Sequence, residues 1–307
     1  MTTSATVDTP RPAARRWAWS RLELYGLLLL LPFMGLMFTF THYPILASIW
    51  QSLHDEPRGD RAAEFVGLEN FRYLLEDDVF ITSLGNNLLY AAITVPVSIA
   101  LAVLMALWVD RRLAGRAWVR MAFFVPAILP MIAIANLWLF IYTPQLGVLN
   151  RLLDLFGFAP VNWLGDPGTA LYAMMAVTVW KEAGFFMIFY LAALQQIPPP
   201  LREAARLEGA SRAQYFWRVQ WPLLMPTTLF VAINALMNAF RVIDQVVVMT
   251  HGGPNNATSL LLFHLYRTAF SYWDLASAAT MTVVLLLLLA VLALIKFGLL
   301  ERRIHYQ

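Results

Sequence analysis

Six long apolar stretches, separated by polar or charged segments, dominate the chain at roughly residues 24–46, 85–109, 118–142, 168–194, 222–249 and 275–299. Each reaches the ~20 mostly apolar residues that a helix needs to cross a bilayer core. The pattern predicts an all-α, polytopic membrane protein with six transmembrane helices. Arginines precede the first stretch, as in a secretory signal. Its apolar run is too long for a signal-peptide core and no small-residue cleavage site follows, so a retained span is expected. Pro96, Pro126 and Pro130 fall inside predicted spans and should kink them.

The segments between the spans carry an uneven charge. On one side lie Arg11, Arg15, Arg16 and Arg21, then Arg111, Arg112, Arg116 and Arg120, then Arg202, Arg206, Arg212 and Arg218, and finally Lys296, Arg302 and Arg303. The opposite segments hold only Arg58, Arg61, Arg72, Arg151 and Arg267. Fifteen basic residues against five, on short loops, predict that both termini are cytoplasmic, because cytoplasmic loops retain the excess of Lys and Arg. Residues 1–20, rich in Thr, Ser, Pro, Ala and Arg, are expected to be a disordered cytoplasmic N-terminus, followed by one six-helix domain over 21–307. The first outer loop, 50–84, would be periplasmic. It is acidic, and its stretch 65–71 is expected to form a short surface helix.

Composition narrows the class further. Of 307 residues, 60% are hydrophobic and 13% charged, against roughly 25% charged in soluble domains. That is too few charges to coat a soluble enzyme. The net charge of +3 arises from loop arginines and implies no nucleic-acid partner. With no cysteine, disulfides, zinc–thiolate sites and thiol catalysis are excluded together. The two lysines, Lys181 and Lys296, are neither preceded by Gly nor followed by Ser or Thr, so a phosphate-binding Walker A loop is excluded. His42, His54, His251, His264 and His305 form no metal-binding spacing. No catalytic residue and no metal site is expected, and any ATP-driven function needs an ATPase on another chain.

The connection over 196–222 has more structure than a loop requires. Pro198, Pro199 and Pro200 should stop the fourth span. A helix-forming run then extends from Leu201 to Leu207, and Gly209 breaks it where a positive φ costs little. Ser211 is placed to cap a second helix over 212–220, and Pro222 should open the fifth span. The arginines would suit a helix resting on anionic lipid. Ala204, Ala205, Gly209, Ala210 and Ala213 instead suit the close backbone approach of a protein partner.

This segment resembles the EAA loop of permease subunits in binding-protein-dependent ABC importers. The matching residues are Glu203-Ala204-Ala205, Gly209, Val219 and Trp221-Pro222, where the family more often has Ile and Leu for Val219 and Trp221. Residues 65–71, 248–254, 256–258, 266–270 and 274–278 are similar to the carbohydrate-importer branch, which includes maltose-type and glycerol-3-phosphate permeases. The ending 301–307 and the run from Trp180-Lys181 to Gln195 resemble the glycerol-3-phosphate type. The resemblance implies the type I ABC importer permease fold, in a bacterial or archaeal plasma membrane. It implies a coupling helix at Glu203 to Tyr215, with Glu203, Ala204, Ala205, Gly209, Ala210, Tyr215 and Phe216 contacting an ATPase. The implied partners are a second homologous permease subunit, two ATPase subunits, an extracytoplasmic substrate-binding protein and membrane lipid. ATP and Mg would belong to the ATPase subunits, leaving no cofactor in this chain.

Charged groups inside spans cost about 2.5–3.5 kcal/mol each and normally face a cavity or a partner. Lys181 and Glu182 lie in the fourth span, Arg241 and Asp244 in the fifth. Arg241 and Asp244, three residues apart, could pair on one helical face. Asn234, Asn238, Arg241 and Gln245 would continue a stripe that either clamps helices together or lines a substrate path. Trp180 and Tyr190 in span four and Asn136 in span three are further path candidates, since aromatics stack on sugar faces as well as pack bundles. The expected function is half of a translocation path for a sugar, oligosaccharide or polyol. A glycerol-3-phosphate or glycerophosphodiester substrate is the alternative within the class. A membrane-embedded glycosyl- or lipid-transferase is the alternative outside it, with the acidic run from Asp55 to Asp60 as its only acidic cluster. A membrane scaffold or sensor is disfavoured by the complete EAA spacing.

Overall fold

The computed structural model of the chain describes residues 21–57, 61–110 and 115–301. The expected disordered segment 1–20 and the ending 302–307 lie outside the described residues. Two compact units are present, one up to Ser48 and one from Ile49 onward. In the first, helix α1 (Arg21–Met37) runs into a π-helical turn, Phe38–His42, and then into α2 (Tyr43–Ser52). Every side chain described from Tyr25 to Leu46 is exposed. An apolar helix with no covered face needs lipid or another chain around it.

The second unit begins with α3 (Glu69–Glu76) and the long α4 (Asp78–Val109), which starts earlier than the expected span because Asp77 caps it by accepting from the Val79 N–H. Then come α5 (Arg116–Ile128), α6 (Met131–Tyr142), α7 (Val148–Leu155) and α8 (Ala170–Gln195). The remaining helices are α9 (Pro199–Leu207), α10 (Arg212–Tyr215), a π-helical turn at Phe216–Gln220, α11 (Trp221–Phe240), α12 (Asp244–Met249), α13 (Leu261–Phe270) and α14 (Leu275–Glu301). Among the described residues extended structure is confined to isolated bridges, one of them between His54 and Phe65.

Five helices are long and apolar enough to cross a membrane, or six if one bent pair counts as a span. The bent pair corrects the reading of 118–142 as a kinked continuous helix: α5 and α6 meet at 102°. Leu129, which precedes Pro130, takes ψ 140°, because the proline ring disfavours helical backbone in the residue before it. The outer loop differs as well. Its helix covers 69–76 rather than 65–71, and 65–68 form a bridge and turn held by Val66 and Gly67 N–H bonds to Leu53 O. Pro222 does not open a separate span either, since Arg212–Phe240 is one continuous helix. The π-helical turn just before it absorbs the missing proline N–H. At the other end this helix stops at Phe240, nine residues short of the expected 249.

The core lies where α4, α8 and α11 pack on one another, with Tyr90, Phe186, Met187, Tyr190, Leu224 and Phe240 fully buried. Lipid supplies no hydrophobic drive between helices, so close approach and polar ties must hold them. Gly184 illustrates the first: a Cβ there would meet Phe123 O at 1.9 Å, so α5 crosses α8 at backbone contact. At one end of the unit Ser83, Asn86 and Asn87 of α4 supply the second. Ser83 bonds Ser259, Asn86 donates to Asn256 O and Ser259 O, and Asn87 donates to Ala239 O while accepting from the Leu261 N–H.

Candidate functional site

The 196–222 segment lies at the opposite end, beside Asp110 at the close of α4. Pro199 and Pro200 open α9 in its first turn, where the lost N–H groups would have had no helical partner. The helix stops at a joint closed by local backbone bonds. Gly209 takes φ +71°, its N–H donates to Arg206 O, and the Ala210 N–H reaches back to Ala205 O. This is the paired closure of a Schellman motif, which needs the left-handed backbone that glycine supplies. Ser211 then caps α10 in a reciprocal box with Gln214. Glu203, Ala204 and Gly209 are exposed, Ala205, Ala210, Tyr215 and Phe216 are partly buried, and Leu207 is 90% exposed. Phe216, Trp217 and Trp221 form an aromatic cluster with ring centroids 4.9–6.0 Å apart, bracing the turn into α11. The result is a two-helix elbow closed by local backbone and capping bonds, with Ala204 and Leu207 exposed.

The intramembrane polar residues do not form one stripe. The helix break after Phe240 separates Asn234 and Asn238 on α11 from Asp244 and Gln245 on α12. Arg241 caps the end of α11 and Asp244 sits in the first turn of α12, where a carboxylate meets the positive helix end. Both are exposed, and among the described residues they form no ion pair, which corrects the expected Arg241–Asp244 pairing. Gln245 is fully buried and does clamp helices: its amide donates to Met174 O, while its oxygen accepts from the Thr178 and Tyr90 hydroxyls.

Lys181 is engaged elsewhere. Its ammonium donates to Leu129 O at 2.6 Å and to Pro126 O and Ala127 O at 3.3 Å, the carbonyls left open at the broken end of α5. A cation there also meets the negative end of the α5 dipole. The Glu182 carboxylate, partly buried, faces the Asn238 amide. Trp180 is 40% exposed and packs edge-on against Trp138. Tyr190 is fully buried, its hydroxyl without a partner in bonding geometry and Thr228 beside it, so it lines no open surface. Asn136 is exposed and donates to Ile132 O, and Asn234 donates to Phe230 O, each spending its amide on its own helix. Trp180, Asn238 and Arg241 are exposed and Glu182 is partly exposed; other residues of the same helices, such as Tyr172, Phe185 and Phe230, are exposed as well.

Sequence reasoning missed the ties that give these helices their positions. Asn150 holds the α6–α8 connection through bonds to Pro144 O, the Val161 backbone and the Trp163 indole N–H. Asn86 and Asn87 hold the loop after α12. Their signal was present as adjacent amides inside an apolar run, since each must find partners there.

Comparison with known proteins is consistent across the chain. Residues 79–306 match the family described as binding-protein-dependent transport system inner membrane component. The sn-glycerol-3-phosphate transport system permease protein UgpA of Agrobacterium fabrum is 33% identical over 91% of this chain and 95% of its own. A probable ABC transporter permease protein of Bacillus subtilis, YurN, is 32% identical over 84% of this chain and 89% of its own. A bacterial ABC transporter that imports the acidic polysaccharide alginate contains a chain with the same fold, at TM-score 0.79 and 23% identity, covering 91% of this chain and 95% of that one.

Proposed function

The chain belongs to the family of binding-protein-dependent transport system inner membrane components, and from that premise we propose that this ABC importer permease forms half of the translocation path for a sugar or polyol-type solute. The observation that carries the proposal is the elbow at Gly209, a short helix pair joined by a glycine closure and a Ser211–Gln214 capping box, with Ala204 and Leu207 exposed. Glu203, Ala204, Ala205, Gly209, Ala210, Tyr215 and Phe216 dock this elbow into a separate ATPase subunit, which binds ATP and Mg and performs the hydrolysis. A second homologous permease completes the path, two ATPase subunits drive it, and an extracytoplasmic binding protein delivers the solute.

In this reading the chain crosses the plasma membrane six times, with the bent α5–α6 pair as one crossing and both termini cytoplasmic. Clustering of Arg120, Arg202, Arg206 and Arg212 around Asp110 supports the sidedness inferred from loop charge. Trp180, Glu182, Asn238 and Arg241 face the path. Asn234, Asp244 and Asn136 border it, while Lys181 and Tyr190 shape it from behind.

A narrower reading has a specific observation in its favour. Arg241 is exposed and free of any carboxylate within ion-pair distance among the described residues. A guanidinium grips phosphate through two parallel hydrogen bonds, and relatives at 33% identity are named for sn-glycerol-3-phosphate transport. We therefore favour a glycerol phosphate ester as the solute. Binding-protein-dependent uptake of sn-glycerol-3-phosphate and of a neutral maltooligosaccharide, in parent and Arg241→Ala complexes, tests both levels. Uptake of the ester alone, lost in Arg241→Ala, supports the narrower reading, and uptake of only the neutral sugar refutes it. Failure of the chain to copurify with an ATPase subunit refutes the permease assignment.

A further inference from the structure

The connection between α6 and α8 carries the short helix α7, at the end of the bundle away from the elbow. Tyr142, the last residue of α6, donates from its hydroxyl to Ala173 O near the start of α8, whereas the elbow follows the other end of α8. The 26 residues of α8 extend about 39 Å at ~1.5 Å each, against a hydrocarbon core of ~30 Å. A span longer than the core reaches into the headgroup layer at its ends. Bonds lead from that end of α8 to α7: the Thr169 hydroxyl donates to Trp163 O, and the Trp163 indole N–H donates to the Asn150 side chain on α7.

At about 100° per residue, the positions of α7 fall into three sectors. Asn150 is buried, Leu149 packs on the core and Leu153 is partly buried, so this side faces the protein. Val148, Leu152 and Leu155 are exposed and share an arc of about 60°, which Phe156 at the helix end widens to about 100°. Arg151 and Asp154, also exposed, lie between these two sectors on one side only. Asn150 stands nearly opposite the apolar arc. Its amide donates to Pro144 O and Val161 O, and its oxygen accepts from the Val161 N–H and the Trp163 indole. Four bonds on one side chain fix the rotation of the helix and hold the apolar arc outward.

In water that arc would be costly, with Leu155 80% and Phe156 77% exposed. The apolar surface also continues along the chain on both sides. Leu137 and Phe140 on α6, Leu146 before α7 and Phe158 after it are exposed, and α6 belongs to the bent pair that passes for a membrane span. Tyr172, exposed near the start of α8, suits the headgroup level. We infer that α7 is an interfacial helix lying in the membrane surface, with Val148, Leu152, Leu155 and Phe156 in lipid and Arg151 and Asp154 in water. Helices with such faces sit about 5–10 Å into the headgroup–acyl boundary. Seated there, α7 anchors the far end of α6 after the 102° bend. The inference needs a membrane-embedded chain and nothing about solute or ATPase.

The chain has no cysteine, so single cysteines can carry a nitroxide spin label at chosen sites. Arg151→Cys, Leu152→Cys, Asp154→Cys and Leu155→Cys are labelled in the full chain alone and in the assembled complex, each in phosphatidylcholine nanodiscs. Relaxation by oxygen, which concentrates in lipid, is compared with relaxation by a water-soluble nickel chelate. Oxygen should dominate at Leu152→Cys and Leu155→Cys, as at Leu287→Cys on the exposed side of α14. The order should reverse at Arg151→Cys and Asp154→Cys, in both preparations. Dominance of nickel at positions 152 and 155 shows an aqueous face and overturns the proposal. Loss of access to both reagents there, in the assembled complex only, assigns the face to a partner protein and overturns it as well. Size-exclusion recovery verifies each variant, and positions 152 and 155 report independently if one is not recovered.

Discussion

Lys181→Met should destabilise the bundle at the break between α5 and α6. In a continuous helix the Pro126 and Ala127 carbonyls would accept from residues 130 and 131. Pro130 has no N–H, and the 102° bend carries Met131 away. Lys181 alone replaces both bonds and adds a 2.6 Å bond to Leu129 O. Methionine keeps the length of the chain and loses all three donors. A carbonyl left unpaired away from water costs about 1–3 kcal/mol. Lys181 is partly exposed, so water can recover some of this loss. A net loss of about 3 kcal/mol corresponds to a midpoint roughly 5–10 °C lower on the scale of domains this size. Thermal unfolding of the detergent-solubilised chain, followed by size-exclusion recovery, measures it. Lys181→Arg, which keeps charge and donors, should recover part of the loss. A Lys181→Met melt that overlays the parent's would refute the idea that this ammonium holds the break, and would return Lys181 to the candidates for solute contact.

Three other outcomes follow from the geometry. Gly184→Ala puts a methyl 1.9 Å from Phe123 O, so α5 must back away from α8; we expect a loss of about 1–3 kcal/mol or more in the same melt, and an unchanged midpoint would contradict the close crossing. Gln245→Leu removes the acceptor shared by the buried Thr178 and Tyr90 hydroxyls, which keep only their bond to each other, and the donor to the Met174 carbonyl, so it should cost about 1–3 kcal/mol, whereas Asn234→Leu, whose amide bonds only its own helix, should be nearly neutral in stability. For sidedness, Asn255→Cys should react with an impermeant thiol reagent in intact cells and Ser211→Cys should not; the chain has no cysteine, so the background is clean, and labelling at Ser211 would reverse the orientation drawn from the arginines.

The all-helical, multi-span class is legible in the amino-acid sequence because it depends on a local quantity, the length of an apolar run. The elbow at 196–222 is legible for the same reason: proline, glycine and a Ser–Gln capping pair act within a few residues of themselves. Helix continuity is less local. Pro222 and Pro130 look alike in sequence, yet one sits inside a continuous helix and the other at a 102° bend. The difference lies in what surrounds them, a π-helical turn before Pro222 and the Lys181 ammonium waiting at the carbonyls before Pro130. The polar residues of the fourth and fifth apolar stretches were likewise undecidable as path or clamp, because an intramembrane amide or charge declares only that it needs a partner. Tertiary structure chose the partners, giving Gln245 to Tyr90, Thr178 and Met174 across helices and leaving Arg241 exposed past the end of α11. Which group is spent on holding the bundle and which stays available to a solute depends on distances between segments far apart in the chain, and no periodicity encodes those.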